Sequence, residues 1–164
     1  MNRQLFLIRH AKSDWNDPSL SDFDRPLSVR GECEAPFMAN RLAACETRPE
    51  CIISSPAMRA RSTAEIFARR LGFPVREIDL MTELYLASPM GMLDVIHNCP
   101  DHVTTLALVG HNPGISELAV QLCSNLIEVI PTCGIVHLSA NLKTWKDADS
   151  NFHLIDFDYP KRNP

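Results

Sequence analysis

Residues 4–10 read QLFLIRH, a short apolar run that ends abruptly at two basic residues, Arg9 and His10. An apolar run of this length, bounded by polar residues, is typical of a strand buried on both faces of a parallel sheet. The stretch therefore predicts a first strand over residues 4–9. It also places Arg9 and His10 at the carboxyl end of that strand.

Outward from this strand, apolar runs and helical spacing alternate along the chain. A polar stretch over 11–30, with Pro18 and Pro26, predicts a long connecting loop, and loops of that length are often functional. Asn112 and Pro113 predict a helix start, with asparagine as the N-cap and proline at the first helical position. The remaining pattern predicts helices over 33–45, 57–71 and 90–97, strands over 51–54, 75–78 and 105–110, and an antiparallel hairpin over 135–139 and 153–157.

Alternating strands and helices indicate an α/β fold, and 164 residues suit one domain over 1–164. We expect a three-layer α/β/α sandwich with a mainly parallel sheet and helices on both faces. In such sheets, ligands bind beyond the carboxyl ends of the strands. The residues that directly follow each strand are therefore the candidates for function.

Composition argues against several kinds of partner. The net charge of −4 gives no electrostatic reason to bind nucleic acid or an anionic membrane, and no apolar run is long enough to span a bilayer. Met1 leads straight into the first strand rather than into a signal peptide. The six cysteines form no C-x-x-C pair, which argues against structural zinc. We expect a cytoplasmic monomer.

Two histidines and two arginines follow three different predicted strands. Arg9 and His10 end the first strand, Arg59 follows the second, and His111 ends the strand over 105–110. Any one of them is most often a surface residue or a helix cap, but their convergence on one sheet edge favours a site.

Zinc is one candidate ligand for this site, bound by the two histidines near Asp14. However, two permanently charged guanidinium groups repel a divalent cation. They match the oxygens of a phosphate group bidentately, so the residues favour an anion, and we expect no metal and no cofactor.

Four motifs in the same order resemble the histidine phosphatase superfamily. They are Arg9-His10-Ala11 followed by Asn16, the stretch RPLSVRG over 25–31, the stretch SPAMRARSTA over 55–64, and Gly110-His111-Asn112-Pro113. The chain is most similar to the short bacterial phosphohistidine phosphatases of SixA type, where the third residue of the first motif is alanine. The similarity runs from residue 1 to about 158.

The resemblance implies a phosphoglycerate mutase-like fold and a covalent mechanism. His10 becomes a phosphohistidine, while Arg9, Arg59 and His111 hold the phosphoryl oxygens. Further residues carried over from the motifs as phosphate or substrate ligands are Asn16, Arg30 and Asn112. Arg25 matches the same motif as Arg30, and we favour for it a structural ion pair with Asp14, Asp22 or Asp24.

Departures from the larger members of the superfamily bear on the substrate. Acid phosphatases carry His-Asp where this chain has His111-Asn112, so the usual leaving-group acid is missing. Glu83 is the possible general acid, with a solvated helix-start residue as the alternative. A site without an effective general acid is better suited to a phosphohistidine substrate than to a phosphate ester, because imidazole leaves more readily than an alkoxide.

The resemblance therefore implies a phosphohistidine phosphatase that acts on a histidine-phosphorylated protein of a phosphorelay or phosphotransfer system. The alternatives are a small-molecule phosphomonoesterase and a phosphate-binding module with little catalysis.

Overall fold

The apolar run that opens the chain forms the strand β1 (Asn2–Arg9), and its central residues are almost fully buried. The structure is a computed structural model and describes residues 1–126 and 128–162. The other strands are β2 (Cys51–Ser54), β3 (Asp79–Leu80), β4 (Thr105–Gly110), β5 (Ile135–Asn141) and β6 (His153–Asp158). The α-helices are α1 (Val29–Ala43), α2 (Met58–Leu71), α3 (Pro89–His97) and α4 (Gly114–Leu122).

The strands of the described residues form one sheet in the order β3-β2-β4-β1-β5-β6. Strands β1 to β4 pair in parallel, while β5 runs antiparallel to both β1 and β6. The predicted α/β fold class is confirmed. The hairpin predicted near the end of the chain is the β5–β6 pair, and its connection contains a short 3-10 helix over Trp145–Asp147.

Alternate residues of β1 belong to two hydrophobic cores, one on each face of the sheet. Leu5 and Leu7 pack in the core that α3 and α4 cover, and Phe6 and Ile8 pack in the core that α1 and α2 cover. Each fully buried side chain of this size contributes about 1.5–3 kcal/mol relative to an exposed one. This two-sided burial fixes β1 and with it the position of His10.

The predicted strand over 75–78 is wrong. Val75–Glu77 is a 3-10 helix, in which Glu77 N–H donates to the carbonyl of Pro74 and Ile78 N–H to that of Val75. Pairing with β2 begins only at Asp79, opposite Ile53. The local turn satisfies backbone groups that no neighbouring strand reaches, so the apolar pattern did not decide the structure.

Helix α1 begins at Val29, four residues before the predicted start, because the Ser28 side chain accepts a hydrogen bond from Gly31 N–H as its N-cap. Pro36 lies inside the helix rather than in its first turn. The apolar face of the helix includes Met38 and Leu42, which are buried. Their burial offsets the backbone hydrogen bond that proline cannot make.

Asn112 is not the N-cap of α4, contrary to the prediction. The helix begins at Gly114 after Pro113, with no side-chain capping bond. Asn112 Nδ2 donates instead to the carbonyl of Ile130, and Asn112 Oδ1 accepts from Ser116 Oγ. These contacts connect the segment that follows β4 to the segment before β5.

The long loop after β1 is anchored rather than free. Ser13 pairs with Leu27 in an isolated β-bridge, and Ser28 N–H donates to the Lys12 carbonyl over 2.9 Å. A Cβ atom on Gly31 would lie 2.2 Å from the Lys12 oxygen, so only glycine permits this close approach of α1 to the loop. Among the described residues, no helix has both the length and the apolar character needed to cross a bilayer.

Candidate active site

A pocket of about 330 Å³ opens at the carboxyl edge of the sheet. Arg9 and His10 reach it from the end of β1, Arg59 from the first turn of α2, and His111 from the end of β4. The rings of the two histidines lie 5.1 Å apart between centroids. Its lining residues are Arg9, His10, Lys12, Ser13, Trp15, Asp22, Arg25, Arg59, Leu86, His111, Asn112 and Thr132.

The imidazole of His10 is held in one tautomer. His10 Nδ1 lies 2.7 Å from the Ala11 carbonyl oxygen, and because a carbonyl only accepts, Nδ1 must carry the ring proton. Ala11 is fixed in turn, since its N–H donates to Thr63 Oγ1. In the neutral ring, Nε2 therefore carries a lone pair, and it has no hydrogen-bond partner among the described residues.

His10 is also kept uncharged. Its pKa is lowered from 6.5 to about 4, mainly by burial and in addition by the positive charges of Arg59, Arg9 and Arg25. The hydrogen bond to the Ala11 carbonyl acts in the opposite direction but does not reverse the shift. A neutral imidazole with a free Nε2 is a competent nucleophile at pH 7.

His111 is the second neutral imidazole of the pocket. Burial lowers its pKa from 6.5 to about 3, with further contributions from His10 and Arg59. His111 Nε2 lies 2.8 Å from Ser55 Oγ, which already accepts from Ala57 N–H and so has its own hydrogen free to donate. A hydroxyl both donates and accepts, so either neutral tautomer of His111 satisfies this contact; with Ser55 as the donor, the ring proton lies on Nδ1, where it can be donated to an anion.

Both arginines are anchored at their guanidinium tips. Arg9 Nη1 donates to the Ile130 carbonyl over 3.0 Å, and Arg59 donates to the Asp22 carbonyl over 2.7 Å and to the Asp22 carboxylate over 3.0 Å. Among the described residues, the buried side-chain atoms without a partner are Arg9 Nε, Arg59 Nε and His111 Nδ1. The two Nε atoms are donors, and His111 Nδ1 is a donor in the tautomer in which Ser55 donates to Nε2. All three residues line this pocket, as expected of a site that receives an anion.

Asp22 links the cations of the site, and the sequence analysis did not assign it this role. Its carboxylate pairs with Arg25 at 3.1 Å and with Arg59 at 3.0 Å, and it accepts from the Tyr85 hydroxyl. The Tyr85 hydrogen bond, followed by the bonds to Arg59 and Arg25, lowers the pKa of Asp22 to about 2. The ion pair predicted for Arg25 is thereby confirmed, with Asp22 as the partner. Tyr85 also packs edge-on against His111.

Three of the predicted site residues lie outside the pocket lining. Asn16 is exposed in the loop after β1, and its backbone N–H donates to Asp14. Arg30 is exposed on the first turn of α1, where it pairs with Glu34 at 3.0 Å. Glu83 is exposed in the 3-10 helix Thr82–Leu84. Asn112 does line the pocket, although its side chain is occupied by Ile130 and Ser116.

Other lining residues were missed because they come from loops. Lys12, Trp15, Leu86 and Thr132 carry no motif of their own, and loop geometry alone brings them to the pocket. The described residues contain no group of three or more histidine, cysteine, aspartate or glutamate side chains arranged to hold a metal ion. Asp14, considered above as a zinc ligand, is not among the lining residues.

We expect both pocket histidines to stay neutral well below pH 6 in the absence of phosphate. The pKa values of about 4 for His10 and about 3 for His111 lie below the ordinary 6.5, so the folded state binds these protons only in acid. Between about pH 6.5 and 4 the unfolded chain binds them first, so the free energy of unfolding decreases as the pH falls. An NMR titration of the ring protons, assigned by single histidine substitutions, measures both values. A midpoint near 6.5 for either ring would contradict this environment.

Comparison with known proteins relates the whole arrangement to one family. The family model of the histidine phosphatase superfamily (branch 1) matches residues 5–122. An uncharacterized protein of Mycobacterium tuberculosis is 33% identical over 165 residues, covering 94% of this chain and 100% of that protein. Phosphohistidine phosphatase SixA of Escherichia coli is 28% identical, and the alignment covers 73% of this chain and 74% of SixA.

Among solved structures, a protein of Agrobacterium tumefaciens assigned as a SixA phosphohistidine phosphatase has the same fold. The two superpose with a TM-score of 0.82 at 32% sequence identity, over 96% of this chain and 98% of the other.

Proposed function

Because the chain belongs to the histidine phosphatase superfamily, we propose that it is a phosphatase that transfers a phosphoryl group to His10 and then to water. The observation that carries the proposal is the state of His10: its Nδ1 proton is fixed on the Ala11 carbonyl, and its free Nε2 lies in a pocket shared with Arg9 and Arg59. A site that only bound phosphate would need the cations but not an oriented, neutral imidazole.

In the first step, Nε2 of His10 attacks phosphorus as the bond to the leaving group breaks. The leaving group takes the bonding electron pair, and the phosphoryl group becomes bound to His10. Arg9, Arg59 and His111 donate to the equatorial oxygens, where charge must be stabilised during transfer.

In the second step, water attacks the same phosphorus. The P–N bond breaks, its electron pair returns to Nε2, and phosphate leaves with the oxygen of that water. Asp22 takes no part in either transfer. It positions Arg59 and Arg25 through its two ion pairs.

We propose phosphohistidine in a protein as the substrate. The described pocket contains no carboxylic acid suited to protonate an alkoxide: the Asp22 carboxyl has a pKa of about 2, and Glu83 lies outside the lining. The imidazole of a phosphohistidine departs more easily than an alkoxide, so it depends less on such an acid. The similarity to proteins named SixA phosphohistidine phosphatases supports the same substrate. A histidine-phosphorylated partner of a cytoplasmic phosphorelay or phosphotransfer system is the corresponding biological substrate.

Hydrolysis of a small phosphate monoester is the second candidate function, since a pocket of about 330 Å³ can also admit a small molecule. It differs from the first in its need for a proton donor to the leaving group. The two candidates therefore separate by the leaving group that the enzyme prefers.

The test compares kcat/KM for a histidine-phosphorylated phosphotransfer protein, phosphoramidate and an alkyl phosphate monoester, whose alkoxide leaving group needs a proton. We expect the two P–N substrates to be hydrolysed at least about 10-fold faster than the ester, because the site lacks a matched acid. EDTA should leave all three rates unchanged, since Arg9 and Arg59 supply the charge that a metal would otherwise supply. Preference for the ester would favour the second candidate. A loss of turnover in EDTA that metal restores would refute the proposed site.

A further inference from the structure

Two large apolar side chains stand exposed at the mouth of the pocket. Trp15 is 68% exposed and Leu86 is 56% exposed, and both are lining residues. They come from different parts of the chain, Trp15 from the loop after β1 and Leu86 from the segment between β3 and α3. The proposed mechanism uses neither of them.

The Trp15 side chain is held in place despite its exposure, and the backbone at Leu86 has an unusual conformation. The guanidinium carbon of Arg25 lies 3.3 Å from the centre of a Trp15 ring, and buried Arg25 is itself fixed by Asp22 and Ser13. Leu86 has φ 50°, a left-handed conformation that is unusual for a bulky residue. Such a conformation is strained and persists where the surrounding structure imposes it.

We propose that Trp15, Leu86 and Lys12 form a docking rim for a folded protein that carries the phosphoryl group on a surface histidine. This inference rests on the proposed function and adds to it the surface that recognises the protein. A carrier whose phosphorus reaches Nε2 of His10 must enter at the mouth that these side chains flank, so the rim is continuous with the site.

The exposure of the rim fits a protein better than a small molecule. Pockets for small ligands bury most of the ligand among their lining side chains, whereas Trp15 and Leu86 remain largely uncovered. A tryptophan gains burial there only against a surface wider than the pocket, and exposed tryptophan is a frequent hot spot of protein interfaces. Met58 and Met90, also exposed, lie in the first turns of α2 and α3 at the same edge of the sheet. They add exposed apolar side chains to this edge, outside the pocket lining.

Charge indicates the character of the partner. Among the described residues, the lining contains the cations Arg9, Lys12, Arg25 and Arg59, and Asp22 is the carboxylate that faces them. A phosphoryl dianion neutralises only part of this surplus. Lys12 is exposed and has no side-chain hydrogen bond or ion pair among the described residues. The surface around the phosphorylated histidine is therefore expected to be acidic, so that it pairs with Lys12.

The experiment measures kcat/KM for two substrates, a histidine-phosphorylated phosphotransfer protein and phosphoramidate, in the variants Trp15→Ala, Leu86→Ala and Lys12→Met. Phosphoramidate reaches His10 without touching a wide rim. We expect the ratio of protein to phosphoramidate activity to fall about 10-fold or more in Trp15→Ala, and several-fold in the other two. The decrease of this ratio in Lys12→Met should be smaller at high salt, which screens the charge of Lys12. Ile155→Ala is the matched control, since Ile155 is 54% exposed on β6 and outside the pocket.

The outcomes separate the rim from the proposed function. A wild-type enzyme that hydrolyses phosphoramidate but not the phosphoprotein would overturn the proposed substrate and the rim together. Full activity on the phosphoprotein with an unchanged ratio in all three variants would overturn the rim alone. Equal losses on both substrates would also overturn it, because Trp15 and Leu86 would then support the catalytic pocket rather than a partner.

Discussion

The His10→Ala variant is expected to lose all measurable turnover on every substrate. In the proposed mechanism, alanine removes the atom that forms the covalent bond to phosphorus, and no other described side chain of the pocket combines a neutral imidazole with a free Nε2. Knocking out a nucleophile of this kind costs about 10⁶-fold in kcat. A steady-state assay with phosphoramidate at saturating concentration measures the loss.

Loss of activity in His10→Ala has to be separated from loss of folding. His153 offers the matched histidine, because it is exposed on β6 and lies outside the pocket. We expect His153→Ala to keep wild-type turnover and His10→Ala to keep the wild-type thermal transition. Turnover by His10→Ala within about 10-fold of the wild type would rule out His10 as the nucleophile.

The His111→Ala variant is expected to be slower by about 100- to 1,000-fold in kcat while still forming a phosphoenzyme. In the proposed mechanism, His111 donates from Nδ1 to the group in transfer, and removing one donor of a preorganised anion site costs about 2.7–4 kcal/mol. Nε2 of His10 remains available, so the covalent step is slowed rather than abolished. Stopped-flow or quench kinetics with phosphoramidate measure the rate of that step.

Ser55→Ala is the graded control for His111, because it removes the hydroxyl that lies 2.8 Å from His111 Nε2 but keeps the ring. We expect a loss smaller than that of His111→Ala. A His111→Ala enzyme that forms no phosphoenzyme at all would mean that the two histidines have exchanged roles.

The residues at the carboxyl ends of the strands could be predicted because the sequence patterns that specify them are local. The run over residues 4–10 specifies a buried strand by its own composition, and parallel pairing then brings its end beside that of β4, where Arg9 pairs with Gly110. His111 follows in the chain, so the sheet delivers it to the same edge. Arg59 reaches the edge because α2 begins directly after β2.

The environment of the site could not be predicted in the same way. Asp22 and Arg59 are separated by 36 intervening residues, and the loop path that joins them depends on contacts such as the Ser13–Leu27 bridge. An unpredicted 3-10 helix brings Tyr85 to Asp22. Leu86, which lines the pocket, has a left-handed backbone conformation. Propensity decides none of these, because each depends on packing between distant segments.

The outward position of Glu83 has the same origin. The sequence placed this carboxylate after the third strand, but that strand is shorter and later than the pattern indicated, and the turn that follows exposes Glu83. A similar shift concerns Pro36: the sequence predicted a helix start at residue 33, with Pro36 in the first turn, whereas the Ser28 cap places the start at Val29 and Pro36 inside the helix.

The central claim is the covalent phosphohistidine, and its most direct test is to locate the phosphoryl group on the enzyme. The enzyme would be mixed with ³²P-labelled phosphoramidate, quenched in alkali to preserve P–N bonds, digested and mapped by mass spectrometry. We predict label on His10 in the wild type and in His111→Ala, and none in His10→Ala. Label recovered on His111 in the wild type, or retained by His10→Ala, would contradict the mechanism.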